Sequence, residues 1–165
     1  MLRRMTNQSW KLSLAGVFVA CALGLFAWRL AWATPGSLIT TTILAGPSLL
    51  EGPLKVKSES EINEYEVEAK GFSDVYVVHN KIAPGGHTGW HSHPGPSIVS
   101  VVSGTATEFH ADDPLTPHVH PAGTCFVDDG DGAHIVRNLG TTDLVLVAFQ
   151  VLPVGATRRI DEPAP

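Results

Sequence analysis

The sequence predicts an all-β domain preceded by an apolar amino-terminal segment, and three observations lead there. Glycine and proline number 16 and 12 among 165 residues, so turn formers are spread along the whole chain. Between them stand short runs rich in β-branched residues. After residue 33 the breakers recur too closely for long helices to propagate. With 44% hydrophobic and 16% charged residues the chain is too apolar for disorder, and its length suits one domain.

The elements follow in order. Arg3, Arg4 and Lys11 precede a run from Leu12 to Trp28 in which only Ser13 is polar, and Ala31-Trp32-Ala33 then forms a small-x-small cleavage pattern before Thr34-Pro35-Gly36. Residues 1–33 therefore read as a secretory signal peptide, or as a membrane segment if uncleaved, because this run is at the lower length limit for a span. Either way the rest of the chain, 34–165, is expected to be exported, periplasmic or extracellular, with the membrane as partner only through that segment. Cleavage removes Cys21 and leaves Cys125 without a disulfide partner, so the fold rests on its core or a metal. Cys125-Phe126-Val127 reads as an apolar stretch in which the cysteine acts as a small buried hydrophobe.

Strands are predicted at Leu38–Leu44, Tyr65–Ala69, Val75–Ile82, Ile98–Val102, Thr105–Phe109, Thr124–Val127, Ala133–Asn138 and Leu144–Leu152. Turns fall at Pro84-Gly85-Gly86, Pro94-Gly95-Pro96, Ser103-Gly104, Asp112-Asp113-Pro114 and Asp128 to Gly132. Alternating acids with Tyr65, Val67 and Ala69 suggest an edge strand with one solvated face. The tail after Pro153 is expected to wrap the surface. Many short strands at steady spacing imply a sandwich or barrel. Four of the 11 basic residues lie in the first 33 positions, which carry no acid; the remainder is strongly acidic, and this excludes nucleic acid as a partner.

Chemistry concentrates in Gly85-Gly86-His87-Thr88-Gly89-Trp90-His91-Ser92-His93. Residues two apart in a strand face one side, so His91 and His93 aim at one point, which is metal-ligand spacing. His134, which opens a strand after the acidic glycine turn, is the candidate third ligand. His87 is a further candidate, as a fourth ligand or a residue beside the ligands. His118 and His120, bracketed by Pro117 and Pro121, read as exposed loop residues, and His79 and His110 as ordinary strand residues.

These residues resemble the cupin family. Its first motif, G-x5-H-x-H-x3-E-x6-G, falls on Gly85, His91, His93 and Gly104, with Ser97 where the family has glutamate. Its second, G-x5-P-x-G-x2-H-x3-N, falls on Gly123, His134 and Asn138, with Asp129 and Asp131 replacing proline and glycine. The resemblance covers about residues 75–152. It implies a cupin double-stranded β-helix, a jelly-roll-like barrel, holding a divalent metal on His91, His93 and His134. Iron, zinc, manganese, nickel and copper all suit three imidazoles. Ser97 stands beside the centre or simply makes room, and Glu108 is the carboxylate best able to replace the missing glutamate. Three-histidine sites occur among cupins that include thiol and diketone dioxygenases. The expected partner is a small anionic or chelating molecule, with a homodimer left open. Two functions remain: a metal-dependent, oxygenase-type enzyme, and a noncatalytic metal-dependent binding module of the cell envelope.

Overall fold

A computed structural model describes residues 33–165. The predicted signal or membrane segment lies outside the described residues, apart from Ala33. Among the described residues no helix is long and apolar enough to cross a membrane. Twelve strands are present: β1 (Ser37–Leu50), β2 (Leu54–Glu59), β3 (Glu64–Ala69), β4 (Ser73–His87), β5 (His91–Ser92), β6 (Ser97–Ser103), β7 (Thr105–His110), β8 (His118–Pro121), β9 (Cys125–Asp128), β10 (His134–Arg137), β11 (Leu144–Pro153) and β12 (Ile160–Asp161). The all-β expectation therefore holds for the described chain.

Ten strands form one barrel-like sheet with the path β12-β5-β10-β4-β11-β6-β9; β1 joins β4, and β7 joins β10 and β8. Strand β4 is the spine. It runs antiparallel to β11 from Ile82 opposite Leu144 to Ser73 opposite Pro153, carries β1 on its other edge, and meets β10 at His87 opposite Arg137. Period-two alternation decides which side chains point inward. On β11, Leu144, Leu146, Ala148, Gln150 and Leu152 are buried while their neighbours are more exposed. On β6, Ser97, Val99 and Val101 are buried. Of these, Leu144, Leu146, Ala148, Val99 and Val101 meet Val78, Ile82, Phe126 and Val136 in the core, where each fully buried large aliphatic side chain stabilises by roughly 1.5–3 kcal/mol. The polar members of the inward rows, Ser97 and Gln150, lie together toward one end, and that end holds the site.

Four expectations need correction. The Tyr65–Ala69 strand is not an edge of the main sheet: β3 pairs only with β2, in a separate two-stranded sheet. Cross-strand pairs Lys55–Glu66 and Lys57–Glu64 support this ribbon on faces left mostly to solvent. Cys125 is exposed rather than buried, because β9 turns Phe126 and Asp128 inward and leaves Cys125 outward, with its Sγ 3.0 Å from Ser100 Oγ. His118–Pro121 is a strand, β8, paired with β7, and only His118 of its two histidines is exposed. The tail does more than cover surface: β12 pairs with β5, and Ala33 bridges Pro163, so the two ends of the described chain meet beside the histidine-bearing strand.

Candidate metal centre

The approach to the site depends on Gly89, which adopts φ +75° immediately before Trp90 and His91. A Cβ there would collide with the Thr34 carbonyl oxygen, so glycine is required by both conformation and space. The turn delivers His91 to β5, where it stands opposite His134, the first residue of β10. His93 follows two residues later. The three rings gather with centroids 4.3 Å apart for His91 and His134, 4.9 Å for His91 and His93, and 5.6 Å for His93 and His134. One ring nitrogen from each lies within 4.8 Å of the others, and all three residues are buried.

Their hydrogen bonds select the free nitrogen. His91 Nδ1–H donates to the Gly89 carbonyl oxygen at 2.9 Å, and His93 Nδ1–H to the Arg158 carbonyl oxygen at 2.7 Å, leaving Nε2 of each as a lone-pair donor. Burial pushes all three pKa values down. His91 falls well below 6.5 through desolvation, then through positive charge on His134, on the Arg159 guanidinium and on His93, the two histidines contributing only when protonated. His93 is lowered by desolvation against opposing contributions from the Arg158 carbonyl and Asp128, and His134 is lowered to about 4 by desolvation despite Asp128. Neutral imidazoles with unshared lone pairs are the state a divalent cation requires.

Asp128, which the sequence reading passed over as part of a turn, reaches the same place. Its Oδ2 lies 3.6 Å from His93 Nε2 and 3.7 Å from His134 Nε2, and it is buried without a hydrogen-bond partner. A buried oxygen without a hydrogen-bond partner, beside the Nε2 atoms of two buried imidazoles, is an arrangement that a cation would satisfy. The donor set thus suits the metal that the histidine spacing suggested.

The centre opens into a cavity of about 210 Å³ lined also by Asn80, Ser97, Phe126, Gln150, Arg158 and Arg159. Gln150 Nε2–H donates to Ser97 Oγ at 3.0 Å, while Gln150 Oε1 accepts from Arg158 Nη1 at 3.1 Å. Arg159 is held by the Asp161 carboxylate and the Thr88 carbonyl. Arg158, by contrast, has no ion pair among the described residues, and its partial burial lowers its pKa without threatening its charge.

Of the other predicted residues, Ser97 lines the cavity wall as a partner of Gln150. His87 sits apart, its Nδ1 accepting from Gly89 N–H at 3.0 Å. Glu108 is buried and turned toward His120 Nε2 at 3.3 Å and His110 Nε2 at 3.6 Å, not grouped with the three clustered histidines. His120, expected to be an exposed loop residue, stacks on Phe126 with centroids 4.3 Å apart. Sequence reasoning missed Asp128, Gln150, Arg158 and Arg159. For the first two a signal existed, since each is the polar member of an inward-facing alternate row.

No curated protein matches the chain. Among solved structures it is similar to a conserved protein of unknown function from Streptococcus pyogenes, at 20% identity over 48% of this chain and 66% of that one with a TM-score of 0.43. A predicted oxalate decarboxylase from Thermotoga maritima shares 22% identity over 50% of this chain and 83% of that one, with a TM-score of 0.42. An oxalate oxidase shares 25% over 48% and 46%, also at 0.42. The chain thus spans just under two thirds of the first of these and under half of the last. A family model described as a cupin domain matches residues 78–150, the segment that contains all three clustered histidines. The barrel-like sheet, the two histidine motifs and this match agree, and the chain carries a cupin domain over residues 78–150.

Proposed function

We propose that this protein is an exported metal-dependent enzyme of the oxygenase type, acting on a small anionic or chelating molecule. The observation that carries the reading is the placement of Arg158, a guanidinium without a carboxylate partner among the described residues, on the wall of the cavity whose floor is the three-histidine cluster. A carboxylate is the natural occupant: one end satisfies Arg158, the other approaches the metal position. The cavity, at about 210 Å³, is below the usual range for drug-sized ligands and favours a molecule of few heavy atoms.

The residues divide the work. His91, His93 and His134 hold the ion; when bound, it supplies Lewis acidity, or redox chemistry if it is iron, at positions the protein leaves open. Gln150 holds the Arg158 guanidinium in place by accepting its N–H. Val99, Phe126, Val136 and Leu146 line the apolar part of the wall and lower the local dielectric, strengthening charge recognition. Export is supported by the amino-terminal charge and hydropathy pattern.

One observation favours the second reading, a noncatalytic binding module. Apart from the three histidines and Asp128, the only ionisable residues lining the cavity are the two arginines, which do not exchange protons at ordinary pH. The deciding experiment loads purified protein with iron(II) and, separately, zinc, then follows oxygen uptake with a panel of two- to four-carbon carboxylates. Uptake dependent on iron and one carboxylate supports the enzyme. Tight carboxylate binding by calorimetry with no uptake under either metal supports the binding module, and absence of metal binding removes both.

A further inference from the structure

We infer that Asp128 is the fourth protein ligand of the metal centre, supplying from β9 the carboxylate that the cupin motif would place at position 97 on β6. The inference rests on the metal-centre reading and adds to it a ligand from a position that the second motif leaves unspecified.

The register provides the first ground. Ser97 and Asp128 are directly opposite in the antiparallel pairing of β6 with β9, so their side chains leave the sheet on the same face. Serine at 97 is short and is engaged by Gln150, which leaves the space next to it to the carboxylate across the ladder. The second ground is how Asp128 is held. Its Oδ1 accepts the Gly130 N–H at 2.9 Å, fixing the carboxylate, while Oδ2 is buried, unpartnered and directed at the histidines. A purely turn-forming aspartate needs only the first oxygen; the residue as a whole is 6% exposed, and burying the second without a partner costs free energy.

Distance provides the third. At 3.6 and 3.7 Å from His93 Nε2 and His134 Nε2, Oδ2 is too far for a good direct hydrogen bond. Donors about 2.1 Å from a common ion are roughly 3.0–3.5 Å apart at adjacent octahedral or tetrahedral positions and about 4.2 Å apart when opposite. The separations from His93 and His134 match neighbouring ligands around an ion more closely than they match a hydrogen-bonded pair; the donors that all lie within 4.8 Å of one another are those of the three histidines alone, so Asp128 meets the centre along its His93–His134 edge. A carboxylate also reduces the charge of the bound centre by one, which favours a divalent ion over the three neutral imidazoles alone.

The test uses the full chain with cobalt(II) as probe, measured by calorimetry and by its visible absorption. Asp128→Asn retains the oxygen that accepts from Gly130 N–H, and should weaken cobalt binding at least about tenfold and change the absorption spectrum. Asp128→Ser, which also offers an acceptor, serves if the first variant does not fold. Adding Ser97→Glu to Asp128→Asn returns a carboxylate from the facing position and should recover most of the lost affinity, whereas Ser97→Glu in the otherwise unaltered protein should gain much less, a coupling that a merely structural role for Asp128 does not predict. Unchanged affinity and spectrum in Asp128→Asn would overturn the inference while leaving the three-histidine centre intact. Failure of the unaltered protein to bind cobalt would overturn both, and His91→Ala, expected to abolish stoichiometric binding, marks that baseline.

Discussion

His134 shows what burial does to a single titratable residue. Its pKa of about 4 in the folded protein lies below the ordinary 6.5, so between those values the unfolded chain binds more protons than the folded one. The His134 contribution to stability of the metal-free protein is therefore complete above about 6.5, declines as pH falls, and levels off below about 4; His91 and His93 are shifted in the same direction and add to the decline. Urea midpoints in chelator at pH 7.5, 5.5 and 4.5 should fall in that order; a constant midpoint would mean the three rings are not buried neutral. Arg158 acts at the same scale. Removing a charged hydrogen-bond donor from a carboxylate is worth about 1.5–3 kcal/mol, so Arg158→Ala should weaken malonate binding to the zinc-loaded protein by tenfold or more, with zinc affinity little changed. Calorimetry separates the two affinities.

Among the elements, the turn before β5 is the least tolerant. Gly89 has φ +75°, its Cβ position is occupied by the Thr34 carbonyl oxygen, and its own carbonyl accepts from His91. Gly89→Ala should destabilise the protein by at least about 1 kcal/mol and lower metal affinity, read by thermal unfolding and cobalt titration. The β2–β3 ribbon is the opposite case. It pairs with no other strand, and Gly52 meets Gly71 at its neck. Replacing residues 53–70 with a two-glycine link should leave cobalt affinity within about twofold, because no metal ligand or cavity residue lies there. Legibility in the sequence followed local pattern at this scale. β11 was visible almost end to end because it is a continuous apolar run rich in valine and leucine, whereas β5 and β12 are two residues each and too short for any pattern to register. The ribbon's alternation was also visible, but alternation does not say which strand is the neighbour.

Across the whole domain, the carboxy-terminal tail completes a site whose ligands lie far earlier in the chain. The Arg158 carbonyl orients His93 from 65 residues away, Glu162 N–H donates to the Trp90 carbonyl at 3.0 Å, and Thr34 N–H donates to the Glu162 carbonyl at 3.0 Å. Ending the chain at Gly155 removes these bonds along with both arginines. Metal affinity should fall about tenfold or more, as for loss of a group that orients a ligand, and carboxylate binding should disappear. Cobalt and malonate titrations of the truncated protein check both, and undiminished cobalt affinity would show that His93 needs no support from the tail.

By itself the sequence determined the all-β class, most of the strands, and the three histidines that gather at the centre. Most of those features are local: β-branched runs, turn residues between strands, and two imidazoles placed two residues apart leave marks in consecutive positions, while His134 was legible through the spacing of the second motif from Gly123 to Asn138. Cys125 was misread because an apolar neighbourhood says nothing about which face of a strand a residue takes. Only the tertiary structure brought Asp128 opposite Ser97, set Gln150 between Ser97 and Arg158, and folded the tail over β5. Each of those depends on a strand register or a chain path joining distant segments, and pairing energies summed over the whole sheet, not any nearby residues, select it.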